Sequence, residues 1–160
     1  MHVRSLEPAD VPAVAELFTK TVRSVNTRDY TPEQVEVWAP RPPDVGAWGR
    51  SFVGRTALVV EVDGEVAGFG DLQAGGYLDR LYVHRDHQRR GIATALAGAL
   101  EAEAARQGAA AVTADASITA LPFFERRGYE IVASQEKVLR GVRFTNYRVR
   151  KPLDSYPRVV

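Results

Sequence analysis

The sequence predicts an α/β fold of the α+β kind: a central, mixed but mostly antiparallel sheet of about seven strands flanked by about four helices. Three observations carry this prediction. Stretches with apolar residues at helical spacing alternate with short runs rich in β-branched and aromatic residues. Two turn signals, Asp63-Gly64 and Gly75-Gly76, link three consecutive strand runs into a meander. The last two strand runs follow one another directly and read as a further antiparallel pair. At 160 residues and 45% hydrophobic content the chain fits one domain, expected over residues 1–152 with 153–160 as a surface tail.

Each element has a local reason. "HVRSL" reads as the first strand, and from Asp10 onward Val11, Val14, Leu17, Phe18 and Val22 recur at helical spacing. "TPEQVEVW" opens a second helix, with Thr31 as cap, Pro32 at the first helical position and Gln34 closing a capping box; Pro40, Pro42 and Pro43 stop it. The segment around Trp48 and Phe52 carries no clear period. "TALVVEV", "EVAGFGDLQA" and "YLDRLYV" form the meander. Ile92, Ala95, Leu96, Ala99 and Leu100 then make one apolar helix face, and Gly108 stands where that helix should end. "AAVTADA" is a buried type of strand, "ALPFFERRG" a short helix, and "YEIVASQEKVL" and "VRFTNYRV" the final pair.

Composition narrows the chemistry. With 21 basic and 20 acidic side chains the formal net charge is +1, which gives no global field for nucleic acid or an acidic membrane. Any positive site is therefore local. There is no cysteine, so disulfides and a thiol nucleophile are excluded, and three histidines scattered along the chain do not suggest a metal site. The N-terminus lacks the apolar region of a secretory signal, and no stretch approaches the about 18 apolar residues of a membrane span. A cytoplasmic location is the expectation.

The stretch "HQRRGIATAL" raises an electrostatic question. A helix start favours Ser, Thr, Asp or Asn as cap and acidic neighbours for its positive end, yet here Arg89 and Arg90 precede Gly91. An anion held by the free N–H groups resolves the conflict, with Gly91 allowing close approach and Ala93 keeping the next turn small. The alternative is a pair of solvated arginines and a helix capped by water.

The order of elements and this motif together resemble the GNAT superfamily of N-acetyltransferases, and the resemblance covers nearly the whole chain. "QRRGIA", from Gln88 to Ala93, is similar to the family's Q/R-x-x-G-x-G/A motif, and "FFERRGY" to its x-Y-x-x-x-G-F segment. The runs "DASITALPFFERRGYE" and "RGVRFTNY" also look like those of a bacterial subgroup of putative acetyltransferases. The resemblance implies that acetyl-CoA is the acyl donor, with its pyrophosphate on the backbone N–H groups of Arg89, Arg90, Gly91, Ile92, Ala93 and Thr94, and with Gln88, Ser117 and Phe124 also among the cofactor-binding residues. It also implies that the strand at Leu81, Tyr82 and Val83 splays from its neighbour and pairs with pantetheine as an added strand would. No metal is implied.

The implied reaction is direct acetyl transfer to a primary amine of a small molecule or peptide. An alkylamine with a pKa of about 10 is protonated at neutral pH, so a base must take its proton. Asp79 is the first choice, with Asp71 and Asp115 in reserve; an arginine ion pair is the alternative role for Asp79. The family's usual proton donor to the departing sulfur is a tyrosine, and here Phe124 stands in its place, with Ser117 at the position of the family's asparagine. Ser117, Tyr82, Tyr129 or Tyr147 could supply a proton instead, and the thiolate, with a solution pKa of about 8.5, can also leave unaided. Phe123 and Phe124 can also be read as core residues.

Family precedent puts the acceptor in a groove between the first two helices and the last strand pair. Asn26, Tyr30, Trp38, Arg143 and Asn146 are the expected contacts, although Val35 and Trp38 are also spaced as one buried helix face. Two other readings compete: a non-catalytic domain that binds or senses CoA, and a nucleic-acid module acting through "RDHQRR", which lacks interleaved aromatics. No nucleic-acid or membrane partner is expected, while a homodimer through the final strands is possible.

Overall fold

The structure, a computed structural model, describes residues 1–153; of the expected tail 153–160, Leu153 donates its N–H to the Ala110 carbonyl at 2.9 Å and packs against the core, and the rest lies outside the described residues. Seven strands form one sheet: β1 (His2–Ser5), β2 (Thr56–Val62), β3 (Glu65–Gln73), β4 (Tyr77–Val83), β5 (Ala111–Ser117), β6 (Glu130–Leu139) and β7 (Val142–Pro152). Their order is β1-β2-β3-β4-β5-β7-β6. Every neighbouring pair is antiparallel except β4 and β5, which run parallel. The expected mixed, mostly antiparallel sheet is therefore present.

Five α-helices accompany it: α1 (Val11–Ser24), α2 (Pro32–Trp38), α3 (Val45–Ser51), α4 (Ile92–Arg106) and α5 (Leu121–Arg126). Thr31 accepts from the Gln34 N–H and Gln34 accepts from the Thr31 N–H, as the capping box requires. Asp63 and Gly64 both have positive φ, 52° and 78°, the condition for a tight primed hairpin turn. Helix α3 is one more than the sequence pattern gave reason to expect. Asp44 caps it through the Ala47 N–H, while Gly46 and Gly49 inside it weaken the pattern.

The sheet is covered on both faces. On one side α1 brings Val11, Val14 and Leu17, and the residue that ends α3, Phe52, joins them against Val59 and Phe69. On the other, α4 lies on β3, where a Cβ at Gly68 or Gly70 would come 2.6 Å from Ile92 or 2.9 Å from Leu100. Glycine there lets the helix sit directly on the strand. Among the described residues no helix is long and apolar enough to cross a membrane.

Strands β4 and β5 meet only at Tyr77 and Thr113. Beyond that point they diverge, because β4 is bonded to β3 on its other side while β5 is drawn into register with β7 from Ala111 to Ser117. The sheet thus opens into a wedge at its centre.

Candidate active site

The wedge is the middle of a cleft of about 1100 Å³, bounded by α1, the α1–α2 connection, β4, the start of α4, β5, α5 and the β6–β7 hairpin. Along its β4 wall the stretch from Leu81 to Val83 has no strand partner on the β5 side. The Val83 carbonyl accepts from the Thr21 hydroxyl at 3.1 Å and from the Gln88 side-chain amide at 2.7 Å. The Gln88 side chain is thus committed to the strand.

At one end of the cleft α4 begins without a side-chain cap. Gly91 has φ 81°, a left-handed conformation that turns the chain into the helix, and Arg89 before it has φ 60°. The first intrahelical bond is donated by Ala95 to the Gly91 carbonyl, so the N–H groups of Ile92, Ala93 and Thr94 are the orphan donors of the first turn. Arg89, Gly91, Ile92, Ala93 and Thr94 line the cleft. Arg90 does not: it is exposed outside the lining. Gly91 is required by its backbone angle, since a Cβ there would meet nothing within 4 Å.

The floor is built by carboxylates that already have partners. Strand β4 bulges at Asp79, where Asp71 faces Arg80 and Leu72 faces Leu78 across β3, leaving Asp79 without a partner residue. Its carboxylate lines the cleft and accepts a hydrogen bond from Arg55. The same guanidinium reaches Asp71 at 3.1 Å. Asp71 is fully buried, receives Arg80 through its backbone N–H and its guanidinium, and does not line the cleft, which removes it from the reserve bases. Asp115 does line it. Burial alone would push its carboxyl up, but hydrogen bonds from Arg148, Gln135 and Tyr77 outweigh burial and hold it below the usual carboxylate range. Burial, and then the bond to Asp115, pushes the Tyr77 hydroxyl well up.

The hydroxyl and phenyl groups near the wedge divide clearly. Ser117 lines the cleft and its oxygen accepts from the Ala120 N–H at 3.1 Å. Phe124 also lines it, with its ring packed edge-on against Tyr129 at 5.0 Å between centroids. Tyr129 is removed from the list of proton donors: its hydroxyl donates to the buried Glu101 at 2.8 Å, away from the cleft. Tyr147 likewise lies outside the lining. Tyr82 lines the cleft, and burial raises its hydroxyl well above the ordinary range.

The acceptor end unites α1, α2 and β7. Tyr30 donates to the Thr145 carbonyl at 3.0 Å and accepts from the Ile118 N–H at 2.9 Å, so its hydroxyl latches the α1–α2 connection to β5 and β7. Its ring meets Trp38 at 5.1 Å, and both face Phe144. Asn26 lines the cleft at only 4% exposure, and its side chain has no hydrogen-bond partner among the described residues. Asn146 lines it too and accepts from Gln135 at 3.1 Å. Arg143 is not brought together with these residues: strand alternation turns Phe144 inward and leaves Arg143 exposed and outside the lining. Sequence reasoning missed Arg55, Thr21 and Gln135, whose partners lie 24, 62 and 20 residues away and leave no local signal.

Comparison with known proteins identifies the family and the fold. A family model described as an acetyltransferase (GNAT) domain matches residues 26–151. The chain is 31% identical over 150 residues to the uncharacterized N-acetyltransferase YafP of Escherichia coli (strain K12), covering 94% of this chain and 95% of that protein. Among solved structures, a GCN5-related N-acetyltransferase from Rhodopseudomonas palustris superposes with a TM-score of 0.91 at 32% identity, over 95% of both chains. The putative acetyltransferase yncA of Salmonella typhimurium, solved with its cofactor acetyl-CoA, shares the fold at a TM-score of 0.74 and 20% identity, over 98% of this chain and 95% of that one.

Proposed function

The chain belongs to the GNAT family of N-acetyltransferases, and from that premise we propose that it moves an acetyl group from acetyl-CoA directly to a primary amine of a small molecule or peptide. The observation that carries this reading is the juxtaposition of an uncapped helix start with the open edge of β4 inside one cleft. Donors and dipole at the start of α4 suit a pyrophosphate, and the backbone from Leu81 to Val83, which has no strand partner on the β5 side, suits the amides of pantetheine. Acetyl-CoA supplies the acyl group already activated as a thioester.

The chain's own groups then have three tasks. Ile92, Ala93 and Thr94 hold the anionic end through backbone N–H groups, with Arg89 and Arg90 adding positive charge nearby. Asp79 takes the proton from the incoming ammonium; its place on the bulge of β4 aims it into the cleft, and Arg55 fixes its orientation. Ser117 hydrogen-bonds the departing thiolate: its oxygen accepts from Ala120, which leaves the O–H to donate, and the thiolate, with a solution pKa of about 8.5, leaves without a proton from the chain and takes one from solvent. Phe124 contributes packing. Asn26 and Asn146 receive polar groups of the acceptor, with Tyr30 and Trp38 as its aromatic wall.

The test is thiol release from acetyl-CoA across a panel of primary amines and peptides with free N-termini, with the product identified by mass spectrometry. Saturable, amine-dependent release with matching acetylated product is expected. Release no faster than background hydrolysis with every amine would overturn the proposal.

A further inference from the structure

At the acceptor end of the cleft the acids already have partners. Asp79 and Asp115 line it, while Arg55 and Arg148, which do not, stand behind them and donate to their carboxylates. Asp29 accepts from the Thr119 hydroxyl at 2.8 Å and lies 3.6 Å from the Arg28 guanidinium. Two polar side chains of this lining are left open. The Lys137 ammonium has no hydrogen-bond or ion-pair partner among the described residues, and the Asn26 amide, at 4% exposure, has none either. Arg89 and Arg126 also line the cleft without an acid, but they stand before α4 and at the end of α5.

Strand parity turns Lys137 inward. Across the hairpin Gln135 faces Asn146 and Lys137 faces Phe144, and directly opposed residues share a face. Gln135 donates to Asp115 at 2.8 Å and Phe144 meets the Tyr30 ring, so this is the cleft face. Ser117 also faces Asn146, which sets Ser117, Asn146 and Gln135 in one row across β5, β7 and β6, with Lys137 two residues further along. With strands about 4.8 Å apart and about 3.3 Å per residue, the Lys137 backbone lies about 12 Å from that of Ser117. An extended four-carbon stem covers about half of this, which leaves a gap of about 6 Å for the acceptor.

The open groups choose what fills that gap. An acceptor with a second cation, such as a diamine, would meet Lys137 and no free acid, and like charges repel. An acceptor with a carboxylate meets an ammonium and an amide that both donate. Resting on the acetyl transfer proposed above, we propose that the acceptor is a free amino acid, its carboxylate on Lys137 and its amine toward the thioester, with the Asn26 amide as the second open donor. The amine nitrogen bonds to the acetyl carbon as the C–S bond breaks. One ammonium proton passes to Asp79 and a second to solvent, and CoA leaves as the thiolate. Lys137 thus sets which amine is used and takes no part in the transfer.

Steady-state kinetics with matched acceptors, each amino acid against the amine that lacks only its carboxylate, test this. The parent should favour the amino acid by about tenfold or more in kcat/KM. Lys137→Met, a change at an exposed position, should raise KM for the amino acid by about tenfold with kcat kept, and leave the matched amine unchanged. Lys137→Arg should restore most of the loss, and Lys137→Glu should move the preference toward diamines. Equal kcat/KM within every pair, a diamine preferred by the parent, or an amino-acid KM unmoved by Lys137→Met overturns the inference while acetyl transfer stands. Thiol release with no acceptor at all overturns the transfer itself and this inference with it.

Discussion

At the start of α4, the N–H groups of Ile92, Ala93 and Thr94 have no side-chain cap and stand beside Arg89, whereas on the floor of the wedge Asp71, Asp79 and Asp115 each accept from an arginine. The first region leaves its polar groups open, and the second closes them on one another. Backbone donors held by helix geometry need no partner to stay in place, so they can be left bare for a ligand. Carboxylates near a sheet interior are costly to bury alone, and Arg55, Arg80 and Arg148 offset that cost. Openness therefore marks the end that binds, while closure marks the end where one charge must be held in position and still be reached.

The largest expected effect falls on the open region. Gly91→Glu places a carboxylate where an anion is to bind and a side chain where φ is positive, so the rise in melting temperature with acetyl-CoA should vanish, a loss of about a hundredfold or more in affinity. Thermal unfolding with and without acetyl-CoA reads this directly. A variant that responds like the parent would end the contrast between the two regions.

In the closed region, the effect of removing a carboxylate should depend on whether it reaches the cleft. Asp71→Asn leaves Arg55 and Arg80 short of their shared acceptor in a buried place and should destabilise the fold by about 3 to 5 kcal/mol, measured by denaturant unfolding. Asp79→Asn should instead lower turnover by about 10² and flatten the acidic limb of the pH–rate profile, with a far smaller change in stability. An unchanged profile would make Asp79 a structural partner of Arg55 only.

Two smaller effects sharpen the comparison. The Asp115 carboxyl is held below its unfolded range, so its bonds to Arg148, Gln135 and Tyr77 stabilise the fold above the unfolded pKa and lose that effect as pH falls through the folded one. Asp115→Asn should therefore lower stability at pH 7 and narrow the gap to the parent below about pH 4. Phe124→Tyr should change the maximal rate by less than about tenfold, because a needed general acid is worth 10² to 10⁴. A hundredfold gain would show that the reaction needs a proton donor the parent lacks and that the hydrogen bond from Ser117 does not replace it.

Much of the fold was legible because its signals are local. The Thr31, Pro32 and Gln34 box, the Asp63-Gly64 turn and the stop at Gly108 all act within a few residues, and each appears in the structure. Helix α3 escaped because Gly46 and Gly49 interrupt its pattern, although Asp44 was available as a cap. In the candidate site the α4 start was equally local, read from Gly91 and its neighbours. The floor was not, since Arg55 reaches Asp79 across 24 residues and only the folded sheet brings them together. The position of Arg143 outside the lining was hidden for a simpler reason, namely that strand parity decides which side of β7 a residue faces, and Phe144 took the inward side.

The account rests on the claim that bare backbone donors at the start of α4, together with the unpaired edge of β4, receive the anion and amides of acetyl-CoA. Titration of the ¹⁵N-labelled chain with CoA tests it atom by atom. The largest amide shifts should fall on Ile92, Ala93 and Thr94, followed by Leu81 and Val83, with Asp71 and Arg80 in the closed floor little changed. Saturating shifts that leave the start of α4 untouched and cluster elsewhere would contradict it.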